Sequence, residues 1–221
     1  MSSSDVRILV PGRADQVEVL GGALCLDFVN TIEPRVTPSD GTVPQDYLTS
    51  YTDLLMWSQH VGILSAMETV GLQAEAIREM QQAQVALEQA VMLREVIYQV
   101  FFAIAQHRPV DAAALDTLKS FYASAMRYSR FQPSNDEDHF EVRWIDQPVV
   151  LTRPLWPVVY SAVELLLRGE HRRIKDCPTG GEGCGWLFYD TSKNNSRRWC
   201  SMQSCGGEAK ERRRGKRQPR S

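Results

Sequence analysis

Four cysteines, Cys177, Cys184, Cys200 and Cys205, fall within 29 residues, with six, fifteen and four residues between successive members. Two short-range pairs joined by a longer connection can each build one knuckle, and together they close a tetrahedral four-sulfur zinc site. In a reduced cytoplasmic setting such clustering favours metal over two disulfides. A closed thiolate set leaves no position for water, so one structural Zn2+ is expected rather than a catalytic ion. A module of this size has little apolar surface of its own, and metal binding worth on the order of 10 to 16 kcal/mol would offset that deficit. Gly180, Gly181 and Gly183 permit the tight turns that ligand geometry needs. His171 is the alternative ligand, but it precedes the knuckle. The fifth cysteine, Cys25, lies between Leu24 and Leu26 and reads as a core residue.

Charge is divided unevenly around this cluster. Residues 168–221 carry 14 Lys+Arg against 6 Asp+Glu, whereas residues 1–167 carry 11 against 21. A basic end on an acidic body points to a polyanionic partner. If a helix continues beyond Cys205, Lys210, Arg214 and Arg217 share one face with Arg213 beside them. Arg197 and Arg198, adjacent to Cys200, are expected to be better ordered and to anchor phosphates. The competing reading of the basic run is a solvated tail. Trp186, Phe188 and Trp199 are assigned to the module's own core rather than to stacking on bases.

The remaining elements must carry this module. Residues 1–14 read as a flexible tail, and Val17 and Val19 alternate as a short strand would, up to the break at Gly21-Gly22. A helix is expected from Ala23 to Asn30, a loop over 33–45, and a helix capped by Asp46 and ending at Gly62. A short helix over 65–70 stops at Gly71, and one long helix spans about 73–107, with Val85, Leu87, Val91, Met92, Val96, Val100 and Phe101 as its apolar stripe. Asp111 caps a further helix, Phe140 to Trp144 alternates as a hairpin strand, and Leu155 to Leu167 is apolar and ends at Gly169. The fold class is therefore mainly α: a helical domain over 15–168 with a small β-hairpin, then a treble-clef-like zinc module over 169–211 and a basic tail over 212–221. No apolar run is long enough for a membrane span, and the opening Met-Ser-Ser-Ser-Asp lacks the pattern of a secretory leader, so a cytoplasmic protein is expected. Phosphate-binding glycine loops, Gly-x-Ser-x-Gly turns and His-Glu-x-x-His pairs are absent from the sequence, which speaks against an enzyme. Asp27, Asn30 and Thr31 interrupt an apolar helix and are the polar groups from which a small-molecule pocket would be built.

The stretch from Cys184-Gly185-Trp186-Leu187-Phe188-Tyr189-Asp190 through Arg197-Arg198-Trp199-Cys200 to Cys205-Gly206 resembles the CGNR zinc finger. Gly21-Gly22-Ala23-Leu24-Cys25-Leu26-Asp27-Phe28-Val29-Asn30-Thr31, with Asp53-Leu54-Leu55 and Trp57, resembles the ABATE domain that accompanies it. The resemblance implies a bacterial, stress-induced transcription regulator with DNA as partner, and it admits a small-molecule effector and a homodimer. A protein- or RNA-interaction role for the finger is the alternative. Two departures stand out: Cys205-Gly206-Gly207-Glu208 replaces the family's Cys-Gly-Asn-Arg, and six residues rather than four separate the first pair of cysteines.

Overall fold

The computed structural model describes residues 10–11, 13–35, 43–134, 139–145, 149–178 and 184–215. Helix α1 (Leu24–Val29) buries five consecutive side chains, Cys25 to Val29, so a six-residue helix is surrounded by protein on all sides. Strand β3 (Gln45–Asp46) pairs in parallel with β1 (Val10–Pro11) and antiparallel with β2 (Ile32–Glu33). Val17 and Val19 do not form the expected strand. They follow a short 3-10 turn, Ala14–Gln16, with Val17 buried against α2 (Tyr51–His60) and Val19 exposed.

Asp46 is not the cap of α2. Ser50 takes that place in a reciprocal capping box: its Oγ accepts from the Asp53 N–H at 3.1 Å, and Asp53 accepts from the Ser50 N–H at 2.8 Å. Gly62, at φ +76°, turns the chain after this helix. A second box, Ser65 with Glu68, opens α3 (Ala66–Arg78), which runs straight through Gly71. One interior glycine costs about 1 kcal/mol, which a capping box can offset. The long helix expected over 73–107 is instead divided at Glu79 (φ −120°, ψ 55°), and α4 (Met80–Ala105) begins there. Its buried face carries Leu87, Leu93, Ile97, Val100 and Phe101, together with Arg94; Val85 and Met92 lie outside it.

Asp111 caps α5 (Ala112–Met126) as expected, accepting from the Ala113 N–H at 3.2 Å. The hairpin β4 (Ser129–Pro133) and β5 (Phe140–Trp144) follows, then α6 (Leu155–Arg168). Trp144, Tyr128 and Trp156 stack the hairpin end onto α6, with Tyr128 and Trp156 parallel at 4.4 Å. Strands β6 (Ile174–Asp176) and β7 (Leu187–Tyr189) pair antiparallel, and α7 (Cys205–Gly215) ends the described chain.

The architecture is mainly α with small hairpins, and one continuous apolar core joins both halves. Phe28 and Trp57 meet at 5.1 Å in its centre, and the fully enclosed Leu187 and Phe188 of β7 extend it into the C-terminal segment. Among the described residues no helix is long and apolar enough to cross a membrane.

Candidate metal centre

The hairpin β6–β7 carries the first knuckle. Cys177 follows β6, and its N–H donates to the Trp186 carbonyl at 2.8 Å, extending the pairing toward Cys184. Gly185, at φ +62°, allows the chain to turn back into β7. Cys200 comes from the following loop, and Cys205 is the first residue of α7. All four are buried, and their sulfurs lie within 4.8 Å of one another. The Cys184–Cys200, Cys200–Cys205 and Cys184–Cys205 Sγ separations are 3.4, 3.5 and 3.6 Å. A disulfide would need about 2.05 Å. Thiolates at about 2.3 Å from one tetrahedral zinc stand roughly 3.8 Å apart. The donor set therefore fits Zn2+, and His171 is elsewhere, bonded through Nε2 to the Leu166 carbonyl at 2.8 Å. Hydrogen bonding among the sulfurs pushes the Cys184 and Cys200 thiols up and holds Cys177 and Cys205 down. Four thiolates this close repel one another, and a dication relieves the repulsion.

Residues away from the sulfurs set this geometry. Asp190, wholly buried after β7, accepts from Lys175 Nζ at 2.6 Å and from the Ser192 and Arg197 N–H groups at 2.9 Å each. Burial alone would raise its carboxyl, but the Lys175 ammonium and these donors outweigh it and hold it well below the ordinary carboxylate range. Lys175 also donates to the Asn195 and Arg197 carbonyls at 2.9 Å each, so one ion pair shapes the loop that delivers Cys200. The Cys200 N–H then points at Cys177 Sγ at 3.4 Å. Asp190 and Lys175 carry no ligand spacing, so sequence reasoning passed over them; the only signal was a lone Asp closing an apolar strand.

Arg197 departs from its expected role. Its guanidinium lies 4.5 Å over the Phe188 ring and donates to the carbonyls of Leu20, Trp199 and Cys200. Those internal acceptors engage its Nε and Nη2, so it braces the loop that carries Cys200. Arg198, Lys210 and Arg214 are exposed, the last two one turn apart on α7. The Arg213 side chain and Arg217 lie outside the described residues, as do Gly180, Gly181 and Gly183.

The candidate pocket at Asp27, Asn30 and Thr31 is also corrected. All three are buried and bonded within the protein. Asn30 makes a two-point bridge to β7, donating to the Leu187 carbonyl at 2.9 Å and accepting its N–H at 3.0 Å. Thr31 Oγ1 donates to the Phe28 carbonyl at 2.7 Å. Asp27 accepts the Gly21 N–H at 2.6 Å. A Cβ on Gly21 would stand 2.7 Å from the Asp27 nitrogen, and the Gly21 carbonyl accepts from Tyr189 at 2.7 Å, so glycine is required where β7 meets α1.

Burial pushes the Asp27 carboxyl up to about 6, against the lowering effect of the Gly21 and Leu20 N–H groups and Arg197. A raised native value favours the protonated form. Its contribution is complete below the unfolded value near 4 and is lost as pH rises through about 6. Asp27→Asn should therefore gain about 1 kcal/mol relative to the wild type between about pH 5 and about pH 7.5. Urea unfolding of both proteins at the two pH values checks this; a pH-independent difference would contradict it.

Further polar contacts dock the module. Trp186 Nε1 donates to the Ile32 carbonyl at 3.0 Å, and the Arg35 N–H donates to the Cys184 carbonyl at 2.7 Å. Residues 22–169 match the family model ABATE, described as "Putative stress-induced transcription regulator". The chain belongs to the ABATE family. Residues 173–218 match the CGNR zinc finger, with the four sulfurs as its structural zinc site. No curated protein matches the sequence. Within this family assignment, Trp186 and Asn30 join the finger to the ABATE domain, so the two matches meet in one core.

Proposed function

We propose that this ABATE protein is a transcription regulator that binds duplex DNA through α7 and the adjoining Arg198, acting as a binding protein and not as an enzyme. The supporting observation is that α7 starts at a metal ligand and exposes Lys210 and Arg214 one turn apart. Zinc would fix the root of a basic helix, so that a groove or a line of phosphates meets a rigid array. Arg could also accept a role against guanine edges.

Glu208 bears on this reading. It is exposed in the first turn of α7, where a carboxylate is favoured by the helix dipole, and it faces Arg212 at 3.6 Å. It thus supports the helix and offsets the charge of Arg212, on a face about 200° around the helix from Lys210. Gly206 is held tightly, since a Cβ there would meet Met202 Sδ at 3.1 Å and Trp199 Cδ1 at 3.2 Å. Gly207 is open, with Met202 O at 3.9 Å as the nearest contact. The departure from the family's Asn-Arg therefore changes surface chemistry and leaves the packed glycine in place.

Binding of duplex DNA measured against salt tests the proposal. About five phosphate contacts give a slope of log K on log salt near −4.5. Lys210→Ala should reduce the slope by about one. No binding at low salt, or a slope near zero, overturns the reading. Tighter binding of structured RNA or of an acidic protein at the same salt would favour the interaction-module alternative.

A further inference from the structure

Helix α3 turns Leu72 and Ala76 into the core. On its opposite side Met67, Val70, Ala74 and Ile77 recur at intervals of three, four and three residues, all exposed. Met67 is 86%, Val70 70% and Ile77 67% accessible, and Met80 just beyond the helix is 75% accessible. Apolar residues at this spacing are the a and d positions of a helix-packing seam. A solvated helix face normally carries charge there.

We infer that this face of α3 is the contact between two copies of this chain, which pairs α3 with its symmetry mate across a two-fold axis. The occupant follows from the pattern itself. An a/d seam is self-complementary, as an isologous contact requires, because each copy offers the same large and small positions to the other. Of the residues that flank the seam, Ala66, Gly71 and Gln73 are uncharged, and Arg78, the charged one, is paired with Glu75 on its own helix. Gly71 has nothing within 4 Å of where its Cβ would stand, so a second backbone could approach closely there.

The area is also sufficient. Met67, Val70, Ile77 and Met80 expose on the order of 100 Å² or more each, and with Ala74 the face clears the roughly 500 Å² per partner that a biological interface needs. The stripe is larger than the singly scattered apolar residues of an ordinary surface. The inference is independent of DNA binding.

Sedimentation equilibrium of the full-length, zinc-loaded protein tests it. The wild type should be a dimer at micromolar concentration. Val70→Glu and Ile77→Glu each place charge in the seam and should weaken dimerisation by at least a hundredfold, with zinc content and helical circular dichroism unchanged. Leu167→Glu, an equally solvent-facing change on α6 at a residue 73% accessible, should leave the dimer intact. A monomeric wild type at about 100 μM, where interfaces of this size ordinarily associate, overturns the inference. So does a dimer indifferent to Val70→Glu and Ile77→Glu.

Discussion

Cys200→Ser is expected to reduce bound zinc from one ion per chain to near zero and to destabilise the ABATE helices along with the finger. The first effect follows from the ligand set, since a tetrahedral thiolate site missing one member loses both a bond and the enclosure of the ion. The second follows from the docking. Trp186, Leu187 and Phe188 are each no more than 2% exposed. Their burial depends on the hairpin being closed at Cys177 and Cys184, and each large apolar side chain contributes about 2 to 3 kcal/mol. Asn30 would exchange both of its β7 partners for water, losing two hydrogen bonds with a net value of about 0.5 to 1.5 kcal/mol each. A total loss above about 5 kcal/mol is expected, of the order of a whole domain's stability. Metal analysis with thermal unfolding checks both parts. The interpretation fails if helical signal from α1 and α4 melts at the wild-type temperature after zinc is removed. Chelation of the wild-type protein should reproduce the variant.

That coupling explains which parts of the molecule were legible in the sequence. The four cysteines were, because ligand chemistry is written in residue type and short spacing. The Asp111 cap, the β4–β5 hairpin and the α6 terminus at Gly169 were legible for the same local reason. Asp46 is not the cap although a carboxylate there suits one: the local signal was Ser50 with Asp53 three residues on, while Asp46 is bonded to Arg94, 48 residues away. Glu79 broke the long helix without a proline or glycine, so nothing local announced it. Asp27, Asn30 and Thr31 were correctly noticed as polar groups in an apolar run. Their partners, Gly21, Leu187 and Arg94, come from other elements, and without these the three suggested a ligand where the fold supplies the bonds. Adjacency to Cys200 implies an ordered Arg197, but its partners, the Phe188 ring and the Leu20, Trp199 and Cys200 carbonyls, are set by the fold and not by that adjacency.

Asp46→Ala should be among the most damaging single changes outside the zinc ligands. Arg94 is 2% exposed and donates to Asp46 through two bonds at 2.7 and 2.8 Å, to Glu95 at 3.0 Å and to Thr31. An arginine remains charged at neutral pH even when buried. Burial works against that charge, and the Asp46 contacts outweigh it and push the guanidinium's proton affinity up. Removing Asp46 leaves the cation with only half-exposed Glu95, which it shares with buried Arg35. The expected cost is about 3 to 5 kcal/mol, characteristic of stranding one member of a buried ion pair. The double variant Asp46→Leu with Arg94→Met should recover much of this, because an apolar pair of similar volume avoids desolvating either charge. A double-mutant cycle by urea unfolding decides the matter, and additive costs would show that the pair is not coupled. Arg35 carries the disturbance onward: its side chain holds Glu95 and the Val29 carbonyl, and its backbone N–H holds Cys184. Asp46→Ala should therefore also speed zinc transfer to a chelator, although Asp46 belongs to the ABATE domain and touches no sulfur.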